Sequence, residues 1–325
     1  MNRATQSLPD GTVLDHYTID RTLSRGGFSI VYLAHDNRTG HKVVIKEYIP
    51  SKLARREEYL RVVPESDQMT DRYLRGRRLF FQEASALAKL EHDNIVHVTS
   101  FFRANETVYM VMVYEEGKNL QAYIEGRSGN LSEQFIRTVF PPLLEGLKLL
   151  HSHHLLHLDI KPGNIHLRPG GSPLLLDFGA VHFYQQSRQH QLGRIISHGY
   201  SPIEQYQSAG YVGPWTDIYA IGATMRSCIE GRPPIDAKIR HEQETMRPAV
   251  ALYRKRYSLD LLEAIDWAME IDPLLRPQNV DAFLDALQRE SMPPITAGNP
   301  VSDVLSTPVS EMLGKIAGSM PWSKS

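Results

Sequence analysis

The sequence predicts an α+β chain long enough to divide into two lobes. Short apolar runs at 17–23, 30–34 and 42–46 are separated by turns written Ser24-Arg25-Gly26-Gly27-Phe28-Ser29 and Asn37-Arg38-Thr39-Gly40, the pattern of strands joined as hairpins. From Ser132 onward the apolar residues recur mainly at helical spacing. Strands gathered first and helices after them read as α+β. The 325 residues, 42% of them hydrophobic, are enough for a large core and for two lobes.

Composition excludes several function classes. Lys and Arg together number 36 against 37 Asp and Glu, a net charge of −1, so bulk charge argues for neither nucleic acid nor an anionic membrane as partner. The one cysteine, Cys228, excludes an internal disulfide or a thiolate zinc site and fits a reducing cytosol. No apolar run approaches the roughly 20 residues of a spanning helix, and the first residues lack the apolar stretch of a signal peptide. A soluble, cytoplasmic protein with no membrane span is expected.

After the third strand, residues 47–79 are long for a strand-to-helix connection and rich in Arg (Arg55, Arg56, Arg61, Arg72, Arg75, Arg77, Arg78), which reads as a solvated basic face. Glu83, Leu87 and Leu90, with Ala84 and Ala88, predict a helix over 80–91. The nearly continuous apolar run 108–114 predicts a buried strand. Ser132 is a suitable N-cap for the next helix, with Leu131 and Ile136 placed as a hydrophobic staple. Pro141-Pro142 should break or kink that helix before it resumes over 143–152. The cluster His151, His153, His154 and His157 lacks the acid partners and spacing of a metal site. The apolar helix from Trp215 stops at Gly231 and reads as a core helix, with Cys228 as packing. From 291 the chain is Pro/Ser-rich and reads as a linker; Thr307, Val309, Met312, Leu313 and Ile316 have the spacing of a short capped amphipathic helix.

The chemistry concentrates at 157–177. Two short apolar runs, 165–167 and 174–176, flank a Pro-Gly-Gly-Ser-Pro turn and read as a β-hairpin. Asn164 stands just before the first strand and Asp177 just after the second. Antiparallel pairing brings them to the same open end. A carboxamide oxygen and a carboxylate with room for water and phosphate suit Mg²⁺. Asp159, on the loop entering the hairpin, can orient a hydroxyl and accept its proton. This layout suits phosphoryl transfer.

His157-x-Asp159-x-Lys161-x-x-Asn164 followed by Asp177-Phe178-Gly179 resembles the catalytic core of the eukaryotic-like (Hanks-type) serine/threonine protein kinases, and the texture is most similar to their bacterial subgroup. The resemblance implies the two-lobed protein-kinase-like fold, a small antiparallel β lobe plus a larger helical lobe: an N-terminal extension (1–16), an N-lobe (17–112, carrying the insertion 47–79), a C-lobe (113–290) and a tail (291–325). It implies ATP and Mg²⁺ as cofactors, and transfer of the γ-phosphate to protein Ser/Thr hydroxyls, autophosphorylation included. Asp159 is the implied base, Lys161 the stabiliser of the transferring group, and Asn164 and Asp177 the metal ligands. Val43-Val44-Ile45-Lys46 resembles the strand whose lysine meets the α/β-phosphates, with Glu83 as its ion-pair partner. The turn with Gly26 and Gly27 resembles the glycine-rich phosphate loop, although Ser24 and Ser29 replace two of its glycines, so a positive φ there would be strained. Leu23 and Val31 are implied to bind ATP, Val44 to roof the adenine and Met112 to line the back of its pocket, with the backbone of Val113, Tyr114 and Glu115 meeting the base edge. Ser197 falls where a hydroxyl bridges the catalytic Asp and Lys. Glu204, in an activation and docking segment, is implied to pair with Arg276, and Asp217 to anchor the backbone around His157. Leu158 stands where many members carry an arginine that grips a phosphorylated loop, so activity is expected not to depend on that contact. A catalytically inactive scaffold and a small-molecule kinase of related fold are the alternatives from other classes.

Overall fold

The computed structural model describes residues 6–177, 182–183 (backbone only), 196–207 and 210–289. Phe178, Gly179 and the tail with its 307–316 segment lie outside them.

The N-lobe is built on β1 (Val13–Leu14), β2 (Tyr17–Arg25), β3 (Ser29–Asp36) and β4 (Lys42–Tyr48). Next come a small hairpin of β5 (Ala54–Arg56) and β6 (Val62–Pro64), helix α1 (Thr70–Leu87), and the strands β7 (Val98–Ala104) and β8 (Thr107–Val113). Six strands make one antiparallel sheet in the order β1-β2-β3-β4-β8-β7. Residues set apart as an N-terminal extension take part in it: Val13 and Leu14 pair with Thr18 and Tyr17, and Leu8 is buried in the core. The insertion is not a plain solvated segment. It supplies the β5–β6 hairpin and the first half of α1, which starts ten residues before the predicted helix and stops short of its predicted end. Tyr73, Gly76, Phe80, Glu83, Ala84 and Leu87 are the buried stripe of α1, and their spacing is helical throughout. At Gly76 an added Cβ would lie 2.0 Å from the Tyr48 hydroxyl, so only glycine lets the helix seat this closely on β4.

The C-lobe follows β9 (Lys118–Asn119) with α2 (Leu120–Glu125), α3 (Glu133–Ser152), β10 (Leu155–Leu156), β11 (Ile165–Leu167), β12 (Pro173–Leu175) and β13 (His182–Phe183). It continues with α4 (Ile203–Tyr206), α5 (Pro214–Glu230), α6 (Ala237–Glu242), α7 (Ala249–Tyr253), α8 (Leu259–Ala268) and α9 (Val280–Gln288). The side chain of Ser132 caps α3 by accepting from the Phe135 N–H at 3.1 Å. Contrary to expectation, α3 runs unbroken through Pro141 and Pro142. Each proline removes one i→i−4 bond. The buried stripe from Ile136 to Leu150 holds both halves against the same core, so tertiary packing overrides the local preference. α5 is buried from Thr216 to Ile229 and ends at Gly231 in the left-handed region (φ 75°). It is the axis of the lobe, with α3 and α8 packed on it.

The connector between the lobes closes tightly on the helical side. Gly117 has φ +146°, and an added Cβ there would lie 2.1 Å from the Leu167 carbonyl oxygen. Arg168 reinforces the contact, pairing with Glu115 at 2.9 Å and donating to the Asp93 carbonyl at 2.7 Å.

Candidate active site

The β11–β12 hairpin pairs Ile165 with Leu175, and the Leu176 N–H donates to the Asn164 carbonyl at 2.8 Å, so Asn164 and Asp177 stand at one end of the hairpin. Asp177 adopts φ 59°, a left-handed conformation uncommon for a non-glycine residue. The amide nitrogen of Asn164 is committed: it donates to the Asp159 carbonyl at 2.8 Å and to Asp159 Oδ2 at 3.0 Å. That leaves its oxygen as the atom available to a ligand.

Asp159 is the centre of a dense hydrogen-bond set. Lys161 Nζ donates to both of its oxygens at 2.9 Å, and Ser197 Oγ donates to Oδ1 at 2.6 Å. Lys161 Nζ also donates to Ser197 Oγ at 2.9 Å, closing a triangle of acid, cation and hydroxyl. The loop beneath is fixed from α5. Asp217, fully buried, accepts from the backbone N–H of His157 (2.9 Å) and of Leu158 (2.8 Å), and His151 Nε2 donates to it at 2.9 Å. The Asp159 N–H donates to His157 Nδ1 at 3.3 Å, so the ring proton sits on Nε2 and is given to the Leu176 carbonyl at 3.0 Å. Burial lowers the pKa of His157, against the pull of Asp217 and Asp159, which agrees with that neutral tautomer. Leu158 has φ 60°; its carbonyl accepts from Gln205 Nε2 at 2.8 Å.

Four of the implied nucleotide residues share one face of the N-lobe sheet. Val31 pairs with Lys46, Val44 with Met112, and Val44 and Lys46 alternate along β4. Leu23 sits at the irregularity between the Thr22 and Ser24 pairings. Gly26, Gly27 and Phe28 make the turn, closed by the Gly26 N–H donating to the Ser29 carbonyl at 2.8 Å. Ser24 and Ser29 are strand residues without positive φ, so the strain expected of those two replacements does not arise. The Val113 N–H is taken by the His97 carbonyl at 3.1 Å.

The predicted Lys46–Glu83 ion pair is not formed. The Lys46 ammonium, nearly fully buried, instead pairs with Asp177. Burial presses the Lys46 ammonium down, yet Asp177, Glu83 and Asp159 together hold its pKa above that of an ordinary lysine. Lys46 in turn keeps the Asp177 carboxyl below the usual range. Glu83 remains buried with Oε1 lacking a hydrogen-bond partner. Burial pushes its carboxyl up to about 8, Lys46 opposing and Asp177 adding to the rise. In this arrangement Asp177 wins the lysine, and Glu83 answers burial by holding a proton.

The segment implied to dock substrate is anchored at its base. Glu204 accepts from Arg276 at 2.7 and 3.2 Å and from Thr216 Oγ1 at 2.9 Å, with both side chains of the ion pair buried. Sequence reasoning passed over Met110 and Gln205, and weighed His151 only as part of a histidine cluster, not as a partner of Asp217. Met110 pairs with Lys46 and is two residues from Met112, so strand alternation gives it the same face. His151 and Gln205 act through contacts made only on folding. Among the described residues no group of three or more His, Cys, Asp or Glu could hold a metal ion. Asn164 Oδ1 and the half-exposed Asp177 carboxylate, at the same end of the hairpin, are the oxygens that could hold a metal ion, one that keeps water and phosphate oxygens around it.

Comparison with known proteins adds the lineage. The family described as "Protein kinase domain" matches residues 17–290. The chain is a protein kinase of the Hanks type. Serine/threonine-protein kinase PknA of Nostoc sp. is 30% identical over 289 residues, covering 84% of this kinase and 47% of the relative. Serine/threonine-protein kinase D of Synechocystis sp. is 29% identical over 312 residues, covering 93% and 57%. Both fit the bacterial subgroup, and this kinase spans about half the length of the curated relatives it matches. The solved structure "PpkA-294 apo form" superposes with a TM-score of 0.76 at 33% identity, covering 87% of this kinase and all of that chain. Members of the family use ATP and typically a divalent metal. No helix among the described residues is long and apolar enough to cross a membrane.

Proposed function

We propose that this kinase transfers the γ-phosphate of ATP to Ser/Thr hydroxyls of other proteins and of itself. The observation that carries the reading is the Asp159–Lys161–Ser197 triangle beside the Asn164 and Asp177 oxygens. An ionised carboxylate offers about four acceptor positions. Lys161 fills two of them, Ser197 one and Asn164 one. An incoming substrate hydroxyl therefore displaces one bond, and Lys161 is the donor with two to spare from. Released from one carboxylate oxygen, the ammonium faces the phosphoryl oxygens while Asp159 orients the hydroxyl and accepts its proton. Asn164 Oδ1 and Asp177 would hold Mg²⁺, which supplies charge neutralisation on the phosphates when bound. Asp177 must then share or surrender Lys46, which is free to meet the α/β-phosphates. Leu23, Gly26, Gly27, Val31, Val44 and Met112 would enclose the nucleotide, with the backbone of Val113, Tyr114 and Glu115 reading the base edge. Glu204 would hold the docking segment. A cytoplasmic setting is supported by the buried free thiol of Cys228.

The test is transfer of radiolabelled phosphate from ATP to a generic protein substrate and to the kinase itself. Asp159→Asn should lower both by on the order of a hundred- to ten-thousand-fold with ATP binding kept. Undiminished transfer by that variant would remove Asp159 from the chemistry.

A further inference from the structure

Behind the lysine strand lies a polar cluster that the phosphoryl-transfer chemistry does not use. Glu47 follows Lys46 on β4, so its side chain points to the opposite face of the sheet, where it is fully buried. Its carboxylate accepts from the Tyr32 hydroxyl (2.7 Å), the Tyr109 hydroxyl (2.7 Å) and Arg56 Nη2 (2.5 Å). Arg56 comes from the insertion. Its other nitrogens donate to the Gln6 carbonyl (Nε, 2.8 Å) and the Leu60 carbonyl (Nη1, 2.8 Å). One guanidinium thus ties the N-terminal stretch, the β5–β6 hairpin and β4 together.

Arms from this anchor reach the glycine turn. The Ser51 N–H (3.0 Å) and Oγ (3.2 Å) both donate to the Gly27 carbonyl, and the Ile49 N–H donates to the Phe28 carbonyl at 3.0 Å. On the other flank Arg25 Nε donates to Ser7 Oγ at 2.8 Å, next to the Gln6 that Arg56 holds. A turn of two adjacent glycines is among the least restrained a chain can make. Here it is held on both sides by chain lying before β1 and after β4.

We propose that Arg56 and Ser51 are positioning residues for the nucleotide: the brace sets the height of the Gly26–Gly27 turn over the phosphates of ATP, touching none of them itself. The proposal rests on reading that turn as the phosphate cover. A restrained turn presents its amides without the ordering penalty a free glycine loop incurs on binding.

Ser51→Pro is the sharpest probe. The N–H groups of Leu53 and Ala54 both donate to the Pro50 carbonyl, so Ser51 is the second residue of a turn, a position proline suits; the substitution removes both its N–H and its Oγ from the Gly27 carbonyl, and Ser51→Ala removes the Oγ alone. In the full chain, Ser51→Pro should raise Kd and KM for ATP about 3- to 10-fold, the worth of one net hydrogen bond. It should leave the affinity for adenosine, which has no phosphates, and the KM for protein substrate unchanged. Ser51→Ala, which keeps the N–H, should stay near wild type. Arg56→Lys, which keeps the charge but cannot span Gln6 and Leu60, should move ATP affinity in the same direction as Ser51→Pro; if it fails to fold, Ser51→Pro decides alone. Equal ATP affinity in Ser51→Pro and wild type, or equal weakening of ATP and adenosine, overturns the proposal. Gly27→Asp calibrates it by placing a carboxylate on the turn. If Gly27→Asp weakens ATP but not adenosine while Ser51→Pro does neither, the brace fails and the phosphate cover stands. If Gly27→Asp does not separate the two ligands, the phosphate cover falls and the brace with it.

Discussion

Three charged side chains, Lys46, Glu83 and Asp177, compete at the centre of the site, and the winner is decided by which carboxylate is better solvated. At Asp177, half exposed, the attraction of Lys46 outweighs the cost of burial; at Glu83, buried, burial outweighs Lys46. The linkage sign follows from the raised pKa. Glu83 titrates near 4.5 when unfolded and about 8 when folded, so its contribution to stability is fully present below 4.5 and is lost as pH climbs through about 8. In the nucleotide-free kinase, Glu83→Gln should flatten the pH dependence of stability across that window, measured by denaturant unfolding at a series of pH values. An unchanged slope would show that Glu83 is already ionised in the folded state. The pairing was the part of the site least legible in the sequence. Lys46 and Glu83 can be named from strand and helix patterns, but which acid holds the ammonium depends on three-dimensional competition that no spacing encodes. Asp159, Lys161 and Asn164 were readable because all three lie within six residues of each other on one loop.

At the scale of elements, α1 separates two opposing effects at a single position. Alanine is the better helix former than glycine by about 1 kcal/mol. The Tyr48 hydroxyl lies where the Gly76 Cβ would go, on a ring packed against Tyr73 (5.7 Å) and Phe80 (5.6 Å), so it has little room to retreat. Overpacking of this kind costs about 1–3 kcal/mol and prevails. Gly76→Ala should therefore destabilise the kinase, seen as a lowered Tm, where propensity alone predicts the reverse. The same elements explain the misread segments. Arg56 is indistinguishable by composition from Arg61 or Arg72, yet it is buried on Glu47 while they are exposed; burial there is decided by a hairpin too short for periodicity to register. In α3 the double proline is a strong local signal that lost to a long buried stripe.

For the molecule as a whole, the two-lobe plan was legible because strands and helices are segregated along the chain, and the hairpin at 165–175 because its motif is contiguous. Regulation reads less directly. Leu158 is buried with Leu156 and Val212 in a small apolar cluster, a poor receptor for a phosphate. Phosphatase-treated kinase should accordingly keep its activity toward a protein substrate, with initial rates within about twofold of untreated protein, since no arginine at this position has a charge-assisted pair to lose. Abolition by phosphatase and recovery on self-phosphorylation would point to a different phosphate receptor.

Gly117 has a mechanical corollary. With its backbone pressed against the Leu167 carbonyl and Arg168 clasping Glu115, the lower end of the connector is riveted to the helical half. Any swing between the lobes would then fall on the few bonds between Val113 and Glu115, and a bulky residue at 117 would jam such a pivot from below.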